Sequence, residues 1–345
     1  MTSAPGTPAQ SEKSAGQATA GSLAGYWRRS FIWVTLLIIA VIAVIPILTN
    51  DAPFREDMFL ILMFVILASS VNIMMGYTGY VNFGHIVFFG LGGYISFYLM
   101  KDWNIHFFAA ALIGGFFVVL FALALGIPVL RLRGAYFALA TIGINEAVRS
   151  FVNNFDLFGG SVGMFFDYSK YDAYGGAKNA LWLAYYAIVL VALATVLASY
   201  IIRKSKFGLG LMAIREDQDA AEVLGVNPAR YKIMAYTVSA FFPALAGGIF
   251  FFKNGIIEPG VAFDLLRSIE SLVMVMLGGY GTVAGPIFGA ALYERLQAFL
   301  LTNEMFSSLH LAIAGALLLL IVLFVTGGVV GFLRDKIGAA RRYIE

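Results

Sequence analysis

Glu146 and Arg149 stand three residues apart in an otherwise apolar run, a spacing that places both on one helical face and lets them pair. Asn145 precedes them, and Glu270, Glu294 and Arg295 lie in similarly apolar surroundings. Ionisable groups at membrane depth are costly and usually face a bundle interior or an aqueous cavity. On that ground Asn145, Glu146 and Glu270 are candidates to line a path for a polar solute. Structural ion pairs, or side chains reaching to a membrane interface, are the alternative reading. Asn82 and His85 close the glycine-rich stretch Gly76-Tyr77-Thr78-Gly79-Tyr80-Val81-Asn82-Phe83-Gly84-His85. They offer hydrogen bonds to such a path, or they hold a tight turn with a satisfied histidine.

A second segment is polar where most of the chain is not. Residues 203–232 form a long charged loop with a short amphipathic helix expected over Asp217–Leu224. Asp217 and Asp219 near its start suit the positive end of a helix. Gly225 is placed to stop it and Pro228 to keep it from resuming. Ala220, Ala221, Val223 and Leu224 supply a small apolar face. Such a helix can dock in a groove of a soluble partner or rest on lipid headgroups. Its acidic residues argue against an anionic leaflet.

Much chemistry is excluded. There is no cysteine, so disulfide, thiolate and cysteine-metal chemistry are absent. The three histidines, His85, His106 and His310, have no metal-ligand spacing. The chain contains no phosphate-binding Gly-x-x-x-x-Gly-Lys-Ser/Thr loop, no nucleophile elbow and no His-Glu-x-x-His. An enzyme is therefore not expected, nor a metal, a cofactor or nucleic-acid binding.

The elements that must position these residues are membrane helices. Of 345 residues 60% are hydrophobic and 12% charged, against about 25% charged in soluble domains. Spans of some 20 apolar residues are expected near 31–49, 58–76, 84–100, 107–130, 135–152, 180–202, 233–252, 265–279, 283–300 and 309–326, an all-α integral membrane fold of about ten helices. The eighth is short and reads as a broken or re-entrant element. Residues 1–25, rich in Ser, Ala, Gly, Thr and Pro, are expected to be a disordered cytoplasmic tail, and 26–345 a single transmembrane domain. The run Phe31–Leu48 lacks a small-residue cleavage pattern and reads as a span rather than a signal peptide. Basic residues concentrate on one set of connections, among them Arg28, Arg29, Arg131, Arg133, Arg203, Lys204, Lys206, Arg230, Lys232, Arg334 and Arg341. Acidic residues such as Asp51, Glu56, Asp57, Asp156, Asp172 and Glu258 mark the other set. The positive-inside rule then puts both termini in the cytoplasm. Leu91-Gly92-Gly93-Tyr94 recurs as Leu277-Gly278-Gly279-Tyr280, an echo that suits an inverted repeat or two closely packed helices.

The segments Gly76–Gly93, Arg131–Arg149, Gly208–Lys232 and Leu277–Ala291, taken in this order, resemble the membrane subunits of bacterial branched-chain amino acid ABC transporters, the LivM-like permeases. The resemblance implies a multi-pass subunit of the bacterial inner membrane that moves solute inward by alternating access. It implies four further subunits: a second, related permease, two cytoplasmic ATP-binding cassette subunits that hold the ATP, and an external solute-binding protein. It also implies that Arg215, Glu216, Asp217, Ala220, Ala221, Glu222, Leu224 and Gly225 form the coupling helix seated on an ATPase. Urea and short-amide permeases share the scaffold, so that substrate class stays open beside branched-chain amino acids. An ion-coupled secondary transporter is the reading from another class, and it would turn on Glu146 and Glu270.

Overall fold

The computed structural model of the chain describes residues 51–302, together with residues 44–46, 315, 328 and 331. The expected tail 1–25 and nearly all of the spans expected at 31–49 and 309–326 lie outside the described residues. Within residues 51–302 eleven α-helices follow in order: α1 (Ala52–Thr78), α2 (Ile86–Asp102), α3 (Phe107–Val129), α4 (Ala135–Asn153), α5 (Ala177–Lys204), α6 (Lys206–Glu216), α7 (Gln218–Val223), α8 (Pro228–Asn254), α9 (Pro259–Ala262), α10 (Leu265–Gly278) and α11 (Gly285–Thr302). Between α4 and α5 lie three short 3-10 turns and the strand β1 (Met164–Phe165). β1 pairs antiparallel with β2 (Ile256–Ile257), which follows α8.

Helix ends obey local chemistry. α1 starts with Pro53 in its first turn and ends at Gly79, whose φ of 77° is left-handed and whose N–H donates to the Met75 carbonyl. Asn227 caps α8 by accepting the Arg230 N–H, with Pro228 in the first turn, where a missing N–H costs nothing. Pro228 thus opens a helix instead of holding one off, which corrects the expectation for that position.

Among the described residues α1, α3, α5 and α8 are long and apolar enough to cross a membrane. α10 has 14 residues, about 21 Å at 1.5 Å per residue, shorter than a hydrocarbon core of about 30 Å. That agrees with the short eighth element expected from the sequence.

α1 and α8 form the centre. α8 packs against α2, α3, α1 and α5, and α1 against α5, α10 and α11. The α2–α8 contact is close because small residues face each other: a Cβ on Gly92 would lie 2.4 Å from Ala244 Cα, and one on Gly247 would lie 2.0 Å from the Phe89 carbonyl oxygen. The two copies of Leu-Gly-Gly-Tyr are not equivalent. Tyr94 is buried within α2, whereas Gly279 ends α10 and Tyr280 is exposed. The two tetrapeptides therefore sit in different local surroundings.

Side-chain bonds sort the connections into two ends. At one, Lys232 meets Tyr80 and Leu130, Arg133 meets Asp219, and Arg215 meets Gly76. At the other, Lys253 pairs with Glu56, Arg295 with Asp57, and Tyr174 accepts the Phe107 N–H. The first group holds connections expected inside, and the second those expected outside.

Candidate functional site

The helix expected over Asp217–Leu224 is present as α7, but the segment is divided. Arg215 and Glu216 belong to α6, an 11-residue helix within the segment expected as loop. Asp217 is the joint. Its extended backbone (φ −157°, ψ 112°) breaks α6, and its carboxylate caps α7 by accepting the N–H groups of Asp219 at 2.9 Å and Ala220 at 3.0 Å. Gly225 ends the turn at φ 89°. Ser205 could have signalled α6: its hydroxyl accepts the Gly208 N–H, an N-cap two glycines obscure.

α7 is pinned from below. Lys232, 3% exposed, donates to the Tyr80 hydroxyl at 2.9 Å, the Leu130 carbonyl at 3.0 Å and Gln218 Oε1 at 3.1 Å. Tyr80 also donates to Gln218 Oε1 at 2.9 Å. One ammonium therefore joins the approach to α2, the end of α3, the start of α7 and the start of α8. Arg133 adds an exposed pair with Asp219 at 3.1 Å. On the other side of the joint, Arg215 reaches the Gly76 carbonyl at 2.8 Å and the Glu216 carboxylate at 2.8 Å, with Tyr280 beneath its guanidinium. The turn that contains Tyr280 is itself held by Asn72, buried within α1, which donates to the Thr282 carbonyl and accepts the Gly281 N–H, both at 2.9 Å.

Only Ala221 of the expected apolar face is buried. Ala220 is exposed, as are Glu222, Val223, Leu224 and Gly225. The helical turn separates them: Ala220, Val223 and Leu224 project to one side and Ala221 to the protein. A groove of about 520 Å³ runs beside α7, lined by Leu130, Arg131, Gln218, Glu222, Asn227 and Lys232 among others.

The five candidate path residues do not converge on one site. Asn82 and His85 are both buried. Asn82 Oδ1 accepts the Gly84 N–H at 3.0 Å, its amide nitrogen lies 3.3 Å from His85 Nδ1, and the imidazole packs edge-on against Phe88. Asn145 is buried and donates to the Phe263 carbonyl at 3.0 Å. Glu146 is exposed and sits 3.7 Å from Arg149. Glu270 is buried against a separate cavity of about 380 Å³ between α1, α10 and α11. The contacts that Lys232, Gln218, Tyr80 and Asn72 make around α7 and the Tyr280 turn are not among the sequence-based expectations. The signal for Asn72 was a lone amide within an apolar span; Lys232 read only as one more cytoplasmic charge.

Comparison with known proteins gives this arrangement a family. LivM of the Escherichia coli (strain K12) high-affinity branched-chain amino acid transport system is 28% identical over 310 residues, covering 82% of this chain and 72% of LivM. LivH of Salmonella typhimurium is 23% identical over 297 residues, 78% of this chain and 91% of LivH. The fructose import permease protein FrcC of Rhizobium meliloti is 32% identical over 109 residues, 30% of each chain. No solved structure matches. The family model for the permease component of branched-chain amino acid transport systems matches residues 57–322, which takes in every described helix from α2 onward and nearly all of α1, and this chain belongs to that family.

Proposed function

We propose that the chain is one of two membrane subunits of an ATP-driven importer that carries branched-chain amino acids into the cytoplasm by alternating access. The observation that carries the reading is α7. Val223 and Leu224 are 88% and 82% exposed at a site where four helix ends are tied together. Exposed apolar side chains on a rigid support mark a docking surface, and the nearby Asp217, Asp219 and Glu222 disfavour an anionic membrane as the occupant. Arg215, Glu216, Asp217, Ala220, Ala221, Glu222, Leu224 and Gly225 thus serve as the coupling segment. ATP is bound and hydrolysed by two cassette subunits beneath it, and this chain holds none. A second permease of the same family and an external solute-binding protein complete the importer. In this reading the chain crosses the bacterial inner membrane about ten times with both termini inside. α4 supports the paired arrangement, since Tyr136, Leu139 and Glu146 are exposed along it and an ion pair on a spanning helix is poorly suited to lipid.

Purification of the tagged chain from its native membranes tests the reading. Recovery of a second permease and of ATPases with phosphate-binding loops is expected, with leucine uptake by the reconstituted assembly. A chain that purifies alone and transports without ATP would overturn it.

A further inference from the structure

The cavity between α1, α10 and α11 has a lining that the rest of the molecule does not explain. It is bounded by Leu60, Ile61 and Phe64 of α1, by Asp264, Leu266, Arg267 and Glu270 at the start of α10, and by Glu294, Arg295 and Gln297 of α11. Its volume of about 380 Å³ lies in the range of small-molecule pockets. The position matches the end of the bundle where Arg295 pairs with Asp57 and Lys253 with Glu56, the end read as external.

Three charged groups there are incompletely used. Glu270 is 5% exposed, and Tyr293 and Gln297 both donate to its Oε1, at 3.3 and 3.4 Å. Among the described residues no hydrogen-bond donor reaches Oε2. Arg267 Nη1 and Glu294 Oε1 are buried without hydrogen-bond partners. Buried polar atoms in native proteins are nearly always bonded, and a guanidinium and two carboxylates on one cavity wall are complementary to a group that carries both charges. Arg295 is already paired with Asp57, so Arg267 is the cation left for a carboxylate. Leu60, Ile61 and Phe64 of α1 add apolar surface to the lining, beside Asp57.

We infer that this cavity is a binding site for the zwitterionic head of a free α-amino acid with an apolar side chain. Arg267 takes the α-carboxylate, Glu270 and Glu294 take the α-ammonium, and Leu60, Ile61 and Phe64 receive the side chain. The assignment rests on the importer reading and sharpens it, because a neutral urea or short amide carries no charge to match the unpartnered Arg267 Nη1 and Glu294 Oε1. The site also adjoins α4: Asn145 holds the Phe263 carbonyl, and the next residue, Asp264, lines the cavity.

The test uses the assembled complex in lipid nanodiscs without its solute-binding protein. Binding of radiolabelled L-leucine is competed by 4-methylpentanoate, which lacks the ammonium, and by 3-methylbutylamine, which lacks the carboxylate. Leucine is expected to bind at least tenfold tighter than either analogue. Arg267→Gln and Glu270→Gln should each weaken leucine by roughly 30-fold. Glu270→Gln should also shift preference toward 4-methylpentanoate, which a merely structural role would not do. Ile61→Trp, which fills the cavity without touching its charges, should abolish binding and guards against a charge variant that fails to fold. Leucine binding and preference unchanged in folded variants would overturn the site while ATP-driven leucine uptake by the wild-type assembly leaves the importer reading standing. Equal competition by 3-methylbutylamine would make the cavity a cation site and overturn the zwitterion assignment. Absence of leucine uptake by the complete wild-type assembly would overturn the importer reading and this site with it.

Discussion

Arg215, near the end of α6, donates a 2.8 Å hydrogen bond to the carbonyl of Gly76 in the last turn of α1. The same guanidinium sits 5.8 Å from the ring of Tyr280 in the turn between α10 and α11. A displacement of the α6–α7 joint therefore has a direct route to α1, the most buried of the four long apolar helices among the described residues, and to the short α10. Arg215→Ala is expected to leave the complex assembled and ATP hydrolysis running while leucine uptake per ATP falls about tenfold, the effect of losing one charge-assisted bond. Gly281→Ala should act alike, since a Cβ there lies 2.8 Å from Arg215 Nη1 on a backbone with φ 74°. Uptake and hydrolysis that fall in proportion would show that Arg215 supports the fold and transmits nothing.

Lys232 gives a stability prediction. Its ammonium is buried and makes three hydrogen bonds. Lys232→Met leaves the Leu130 carbonyl without this donor and removes the tie to Gln218, at a cost of about 2–4 kcal/mol. Tyr80→Phe removes one donor to Gln218 and one acceptor for Lys232 and should cost about 1 kcal/mol. Thermal unfolding in detergent should rank wild type above Tyr80→Phe above Lys232→Met. A reversed order would mean that Lys232 does not organise this end.

Those two residues also show what the sequence made legible. The long described helices fall within a few residues of expectation because long apolar runs and left-handed glycines such as Gly79 and Gly255 are local signals. α7 was legible through Asp217 and Gly225 for the same reason. α6 was not, because Gly208 and Gly210 lower helix propensity, and only tertiary packing of Gly210 against Tyr231 shows why they are needed. Lys232 and Gln218 meet across 14 residues, and Asn72 meets Thr282 across 210. Pairings at such separation have no periodicity to betray them. The candidate path residues scattered for a related reason: spacing placed Glu146 and Glu270 at similar depth but not against the same neighbours.

Val223 and Leu224 should govern docking without governing stability. Both are exposed and neither belongs to the described core. Replacing them together with Glu is expected to leave the unfolding temperature within error of wild type, because surface changes usually shift stability by no more than about 0.5 kcal/mol. Co-purification of the ATPases should drop at least tenfold. Retention of the ATPases at wild-type stoichiometry would remove α7 from the docking surface.

The absence of native cysteine makes orientation measurable with single introduced thiols. Asn104 lies between α2 and α3, at the end where Lys170 bonds to it, and Gly225 lies at the opposite end with open space around its α-carbon. In intact spheroplasts Asn104→Cys should react with a membrane-impermeant maleimide, and Gly225→Cys should react only after permeabilisation. Gly143→Cys reports on the exposed side of α4, where nothing lies within 4 Å of an added Cβ. It should label in the isolated detergent-solubilised chain and be protected at least several-fold in the complete assembly, as expected of a helix that faces a second permease. Equal labelling in both states would turn that face of α4 toward lipid, and would leave the exposed Glu146–Arg149 pair as an interfacial feature with no part in the path.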